Sequence, residues 1–208
     1  MPDDRDQIIA EHHPAAGEPA ASGFAQTPSQ TVGPFFGYAL PYADGPSLVP
    51  PRTPGSIRLH GTVLDGAGDP VPDALIELWQ ADADGRPVAV RGSLARDGFT
   101  FTGFGRAAVD GGGHYSFSTL KPGPGRAGRA PFVLITVFAR GLLHHLFTRA
   151  YFDDEIGLNG IDPFLASVEE DRRSTLLAHH EGGGSYRFDI RLQGDGETVF
   201  LQYPGIAR

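Results

Sequence analysis

The sequence predicts an all-β fold, an antiparallel β-sandwich with a draped N-terminal segment and one short helix. Three observations carry that prediction. The 29 glycines and 18 prolines make up about 23% of the 208 residues, nearly twice the roughly 12% usual in soluble chains, which suits many short strands and tight turns. Seven short segments alternate apolar and polar residues or run apolar throughout, and turn residues separate them. The one helix read from the sequence, opening at Asp162–Pro163, is short and polar on one side. A single chain of this length buries roughly 70% of its unfolded surface, enough for one core without staples.

Taken in order, residues 1–26 are rich in Ala, Pro, Gly and acidic side chains, with Ile8 and Ile9 as their one bulky apolar pair. They read as a disordered tail, so the domain spans 27–208. From Thr27 to Pro54, Pro28, Pro34, Pro41 and Pro46 forbid a long helix. This segment is expected to drape over the domain, anchored by Phe35, Phe36, Tyr38 and Tyr42. Strands are then expected at 57–64, 74–80, 114–120, 131–139, 146–152, 186–192 and 198–203. In IRLHGTVL, Ile57, Leu59 and Val63 share one face, and in YRFDIRL so do Tyr186, Phe188, Ile190 and Leu192. PFVLITVFA is apolar on both faces, as a covered central strand is. Asp162 followed by Pro163 supplies an N-cap and a proline at the first helical position, opening a helix through Leu177.

Composition also narrows function. A formal net charge of −8 argues against a nucleic-acid surface, which needs a basic stripe. The absence of cysteine removes disulfides, thiolate nucleophiles and Cys-based metal sites. No window resembles a signal peptide or a membrane span, so a soluble cytoplasmic protein is expected.

Individual motifs have plain readings. Gly123, Gly125 and Gly128 match G-x-G-x-x-G, but a strand follows them, whereas dinucleotide binding needs a helix there. Asp82, Asp84 and Gly85 make a turn and lack the downstream glutamate of a calcium loop. His144 and His145 are adjacent, so on a strand they point to opposite faces. His12–His13 and His179–His180 lack a third ligand at suitable spacing. There is no Gly-x-Ser-x-Gly elbow, and Trp79 reads as a core aromatic.

The series LHGTVLDGAGDPVPDALIELWQADADG, GFGRAAVDGGGHYSFSTLKPGP, FARGLLHHLFTRAYFDDE and YRFDIRLQGDGETVF, preceded by TPSQTVGP at 27–34, resembles the intradiol ring-cleaving dioxygenases. That resemblance implies a β-sandwich and a non-haem Fe(III) held by two tyrosines and two histidines. In iron-bearing members the second tyrosine follows the Lys-Pro-Gly-Pro run and the histidines form His-x-His on the next strand. This chain departs from that pattern. Gly125 follows Lys121–Pro124, Phe132 and Leu134 stand at the histidine positions, and no tyrosine lies between Tyr42 and Tyr115 for the first ligand.

The resemblance therefore implies the iron-free chain of a two-chain member, holding no metal and no catalytic residue of its own. Its partner would be a homologous iron-binding β chain carrying Fe(III), and it would supply part of the substrate pocket. By motif that wall is Thr31, Gly33 and Pro34, with Arg140 reaching the same cavity. A plain turn is the alternative for Gly33–Pro34. An ion pair within the chain or at an interface is the alternative for Arg140. The implied reaction inserts both atoms of O2 between the hydroxyl-bearing carbons of 3,4-dihydroxybenzoate, giving 3-carboxy-cis,cis-muconate in aromatic catabolism by the β-ketoadipate route. The rival reading from another class is a metal-free sandwich serving as a binding or scaffold module.

Overall fold

The computed structural model describes residues 28–33, 35–91, 94–125 and 128–203. Its strands are β1 (Ser56–Leu64), β2 (Leu75–Gln80), β3 (Phe104–Ala108), β4 (His114–Leu120), β5 (Phe132–Phe138), β6 (Leu146–Phe152), β7 (Leu177–Gly182), β8 (Ser185–Arg187) and β9 (Ile190–Arg191). They hydrogen-bond in the order β3-β2-β5-β6-β7-β8-β1-β4, with β9 also on β1. The fold is thus mostly β and sandwich-like, built from one half of β3-β2-β5-β6 and another of β7-β8-β1-β4 with β9 alongside β1. The seam between the halves is short, since β6 and β7 pair only at Tyr151–Leu177 and Phe152–Ala178. At the far ends of the path, Gly105 of β3 comes so close to β4 that a Cβ would lie 3.2 Å from the Phe117 ring and 2.5 Å from Leu48. Glycine permits that approach without displacing Leu48.

Alternation places the core between the halves. Leu59, Val63, Ile76, Leu78, Phe117, Val133, Ile135, Val137, Phe152, Tyr186 and Ile190 are buried together, the inward half of each strand's period-two pattern. One polar tie crosses this core. Thr119 donates to Gln80 Oε1 at 2.8 Å, and Gln80 Nε2 donates to the Leu120 carbonyl at 2.8 Å, so these buried groups are satisfied. A second cluster, Ala130, Tyr151, Leu165 and Leu176, lies outside β5 and β6 under the helical segment.

Several expectations are corrected. Pairing is antiparallel except for β1–β8, β1–β9 and β6–β7, which are parallel. Among the described residues there are three one-turn α-helices, α1 (Phe36–Ala39), α2 (Ile156–Asn159) and α3 (Pro163–Ser167), and a 3₁₀ helix over Glu170–Leu176. The Asp162 cap forms, accepting from the backbone of Phe164 and Leu165. The helix nevertheless ends at Val168, whose ψ of 141° is extended, in keeping with the poor helix preference of a β-branched residue. The expected strand at 198–203 reduces to one bridge, Phe147–Leu201. β3 and β7 were not expected.

Trp79 is on the outer face, 42% exposed, with Nε1 donating to the Val88 carbonyl at 3.2 Å. It follows the strand's period, alternating with Leu78 and Gln80, rather than the preference of its ring for the core. Phe35 and Tyr38 are exposed, because the α1 turn rolls them away from the sheet. Tyr42 does anchor the N-terminal segment. The guanidinium groups of Arg96 and Arg106 lie over its ring at 5.6 and 5.8 Å, and Arg106 also clamps Glu77 and the Leu40 carbonyl. The expected tail at 1–26 lies outside the described residues. Among the described residues, no helix is long and apolar enough to cross a membrane.

Candidate functional site

Three chain segments converge where β5 ends. The apolar run of β5 delivers Arg140 to the surface, and Gly141 then turns the chain at φ +93°, a conformation that favours glycine. The Gly141 N–H donates to Thr31 Oγ1 at 2.8 Å, which fastens the N-terminal segment to this turn. Because that oxygen is the acceptor, the Thr31 hydroxyl hydrogen remains able to donate elsewhere. Arg140 Nε donates to Asp73 Oδ2 in the turn before β2, realising the intrachain ion pair that the sequence left open. Beside these residues lies a cavity of about 180 Å³, lined by Gln30, Val32, Phe138, Ala139 and Leu142–His145. A larger groove of about 810 Å³ runs on from His144 and His145 towards Phe164 and Tyr203.

Of the four residues carried over by motif, Thr31 and Arg140 are therefore brought to one place, linked through Gly141. Gly33 is exposed two residues beyond Thr31. Pro34 lies outside the described residues. Sequence reasoning missed Asp73 and the role of Gly141. The positive φ of Gly141 had a weak signal in its Arg-Gly pair at a strand end, whereas Asp73 had none.

The positions matched to iron ligands hold no donor atoms. Gly125 has no side chain, and Phe132 and Leu134 are apolar. On the neighbouring strand Arg149 is in register with Leu134, and its guanidinium is sandwiched between the rings of Phe132 at 4.4 Å and Phe164 at 4.6 Å. Arg149 Nη1 donates to the Tyr151 hydroxyl at 3.2 Å, while its buried Nε has no partner among the described residues. Burial pushes the Tyr151 phenol up to about 12 against the opposing pull of Arg149, so it stays protonated. Tyr115 is sealed in the core, donating to the Phe188 carbonyl, and burial holds its phenol well above the ordinary value. A cation held over a phenyl ring, with no phenolate or imidazole beside it among the described residues, does not fit ferric iron. Among the described residues, no three His, Asp or Glu side chains gather to hold a metal.

Other motifs resolve into structure. Asp82 Oδ1 accepts from the backbone of Asp84 and Arg86, making the expected turn. Gly123 N–H donates to the Asp82 carbonyl at 2.9 Å, seating the Lys-Pro-Gly-Pro run on that turn. Lys121 reaches Asp154 at 2.9 Å and Glu155 at 2.7 Å. His144 and His145 precede β6 rather than lying in it, and the His145 ring meets Phe147 edge-on at 4.6 Å. His179 pairs with Asp153 at 2.6 Å, and His180 stacks on Tyr186 at 4.8 Å.

The family model described as Dioxygenase matches residues 32–130. Together with a 44% identical relative that the match covers almost end to end, this shows that the chain belongs to the intradiol dioxygenase family. Within it, the chain is similar to the protocatechuate 3,4-dioxygenase alpha chain of Burkholderia cepacia, 44% identical over 192 residues, with 85% of this chain and 96% of the relative covered. The beta chain of the same species is also similar, at 34% identity over 156 residues, covering 68% of this chain and 66% of that one. Among solved structures, the dioxygenase domain of a dioxygenase–carbohydrate-binding protein fusion from Streptomyces sp. SirexAA-E aligns with a TM-score of 0.51 at 26% identity, over 82% of this chain and 99% of that one.

Proposed function

We propose that this chain is the iron-free α subunit of a two-chain protocatechuate 3,4-dioxygenase in the cytoplasm, and that its partner is a homologous β chain carrying Fe(III). The observation that carries the reading is the contrast between two places on one fold. The positions matched to ligands are filled by Phe132 and Leu134 under Arg149, while Thr31 and Arg140 stand together at an open surface. Exposed Phe35, Tyr38 and Leu143 offer apolar surface of the kind a partner covers, and the similarity to both α and β chains supports an α/β assembly.

The net reaction adds O2 to 3,4-dihydroxybenzoate. The bond between the two hydroxyl-bearing carbons breaks, and each carbon becomes a carboxyl group of 3-carboxy-cis,cis-muconate. The partner's ferric centre supplies the chemistry on the diol. This chain binds and orients. Arg140 offers a cation to the substrate's carboxylate, which lies across the ring from the diol. Thr31 offers a hydroxyl donor, and Gly33 with Pro34 lets backbone lie flat against the ring. Covering the ring excludes water and fixes one orientation.

Co-expression with the iron-bearing chain, followed by iron analysis and oxygen uptake, tests this. The pair should take up O2 with 3,4-dihydroxybenzoate, and this chain alone should not. A partner that is equally active and equally selective without this chain would favour the scaffold reading.

A further inference from the structure

Arg140 is a long side chain at the end of a strand, 57% exposed, and such a group samples many rotamers unless something holds it. Asp73 holds it. Its carboxylate takes the Nε–H, and among the described residues nothing takes Nη1 or Nη2. The backbone that carries Asp73 is itself pinned, because the next residue, Ala74, is buried and its carbonyl accepts from Val109 N–H at 3.0 Å. Asp73 is the less exposed member of the pair, at 26%, so the fixed end of the contact is the carboxylate and the guided end is the guanidinium. Engagement at Nε alone leaves both terminal NH2 groups without a partner among the described residues, on a side chain that is 57% exposed, and one N–H from each makes a planar fork. That fork matches the two oxygens of a carboxylate.

From this geometry we propose that Asp73 is a positioning residue. It selects the Arg140 rotamer before substrate arrives, so that the free end of the guanidinium meets the substrate carboxylate without first being ordered. The inference rests on Arg140 being the carboxylate anchor. Two effects of Asp73 oppose one another, since its negative charge also repels an incoming carboxylate. The neutral isostere separates them. Asparagine keeps an oxygen that accepts from Nε and removes the charge, whereas alanine removes both.

The experiment measures kcat and KM for 3,4-dihydroxybenzoate and for catechol in the complex with the iron-bearing chain, for Asp73→Ala, Asp73→Asn and Arg140→Ala. Asp73→Ala should raise the KM for 3,4-dihydroxybenzoate about 3- to 10-fold with kcat and the catechol parameters unchanged. Asp73→Asn should stay within about twofold of the parent. An unchanged or lowered KM in Asp73→Ala, with Arg140→Ala still selective against the carboxylated substrate, overturns the role of Asp73 alone. If Arg140→Ala is not selective either, the anchor reading itself falls.

Discussion

Thr31 and Gly141, 110 residues apart, are joined by a hydrogen bond of 2.8 Å from backbone amide to hydroxyl oxygen. The bond fixes the N-terminal segment against the turn that presents Arg140, so the two motif-derived pocket residues share one mechanical unit. Thr31→Val keeps the shape and removes the acceptor. A lost hydrogen bond of about 1 kcal/mol corresponds to roughly fivefold in affinity. In the assembled enzyme Thr31→Val should raise KM for 3,4-dihydroxybenzoate by about that factor, and Thr31→Ser should restore it. Equal loss in both variants would show that the methyl group, not the hydroxyl, matters.

Arg140 has a sharper signature. A charge-assisted hydrogen bond to a desolvated carboxylate contributes roughly 1.5 to 3 kcal/mol, or about 10- to 150-fold in apparent affinity. Arg140→Ala should therefore raise KM for 3,4-dihydroxybenzoate within that range while sparing catechol, with the iron content of the complex intact. Arg140→Lys should recover only part, because the planar fork is lost. Loss of the partner chain on gel filtration would instead make Arg140 an interface residue.

Deleting residues 1–26 should leave folding and assembly nearly unchanged, because that stretch has no core-forming pattern. Yield of soluble complex and its oxygen uptake, compared with the full chain, check this. A large loss of complex would contradict it.

Much of the fold was legible because its strands obey a period of two. The expected bounds of β4 and β6 coincide with the observed ones, and β1 and β5 differ only at their ends. β3 was invisible because Phe-Gly-Arg-Ala-Ala carries small residues where the two ends of the sheet path crowd together, a constraint set by Leu48 and Phe117. β7 reads Leu-Ala-His-His-Glu-Gly, and all but Leu177 and Ala178 lie beyond the short seam with β6. Trp79 departs from its residue type because the alternation of β2 places it with Glu77 on the outer face. At the site, Arg140 was found by motif. Its partner Asp73 lies 67 residues away in a turn, and no local pattern encodes such a contact.

The cluster around Lys121 gives a pH-dependent stability. Burial acts to lower the Lys121 value, but hydrogen bonds to Glu155 and Asp154 outweigh it and hold the amine above its ordinary value. Burial acts to raise Asp154, but Lys121 and the Tyr186 hydroxyl outweigh it and hold the carboxyl below. Asp154 thus stabilises the fold above its unfolded value of about 3.9, and that contribution fades as pH falls through the lower folded value. Lys121 stabilises fully below about 10.4, and its contribution fades as pH rises through the higher folded value. Between those limits Lys121→Met should cost about 1 to 2 kcal/mol, as the group is partly solvent-screened. Urea unfolding should show that deficit at pH 7 and a smaller one at pH 3. A deficit that does not change with pH would assign the loss to packing against Phe152 and Tyr186.

Iron binding provides the last test. The purified chain should hold no stoichiometric iron and show no visible tyrosinate-to-ferric absorption, since Gly125, Phe132 and Leu134 offer no ligand and the Tyr151 phenol stays protonated. Restoring imidazoles alone should not repair this. Arg149 lies 4.4 Å from the Phe132 ring, and a ferric ion at about 5 Å from a unit positive charge meets repulsion on the order of 10 kcal/mol at an effective dielectric of about 20. The double variant Phe132→His with Leu134→His should therefore remain iron-free after loading and dialysis, as measured by elemental analysis. Adding Arg149→Gln should raise iron retention above that of the double variant, because the guanidinium is then gone while an uncharged side chain still fills much of the space between Phe164 and position 132. One tightly held ferric ion in the parent chain, or in the double variant with Arg149 intact, would show that this cation does not govern the site.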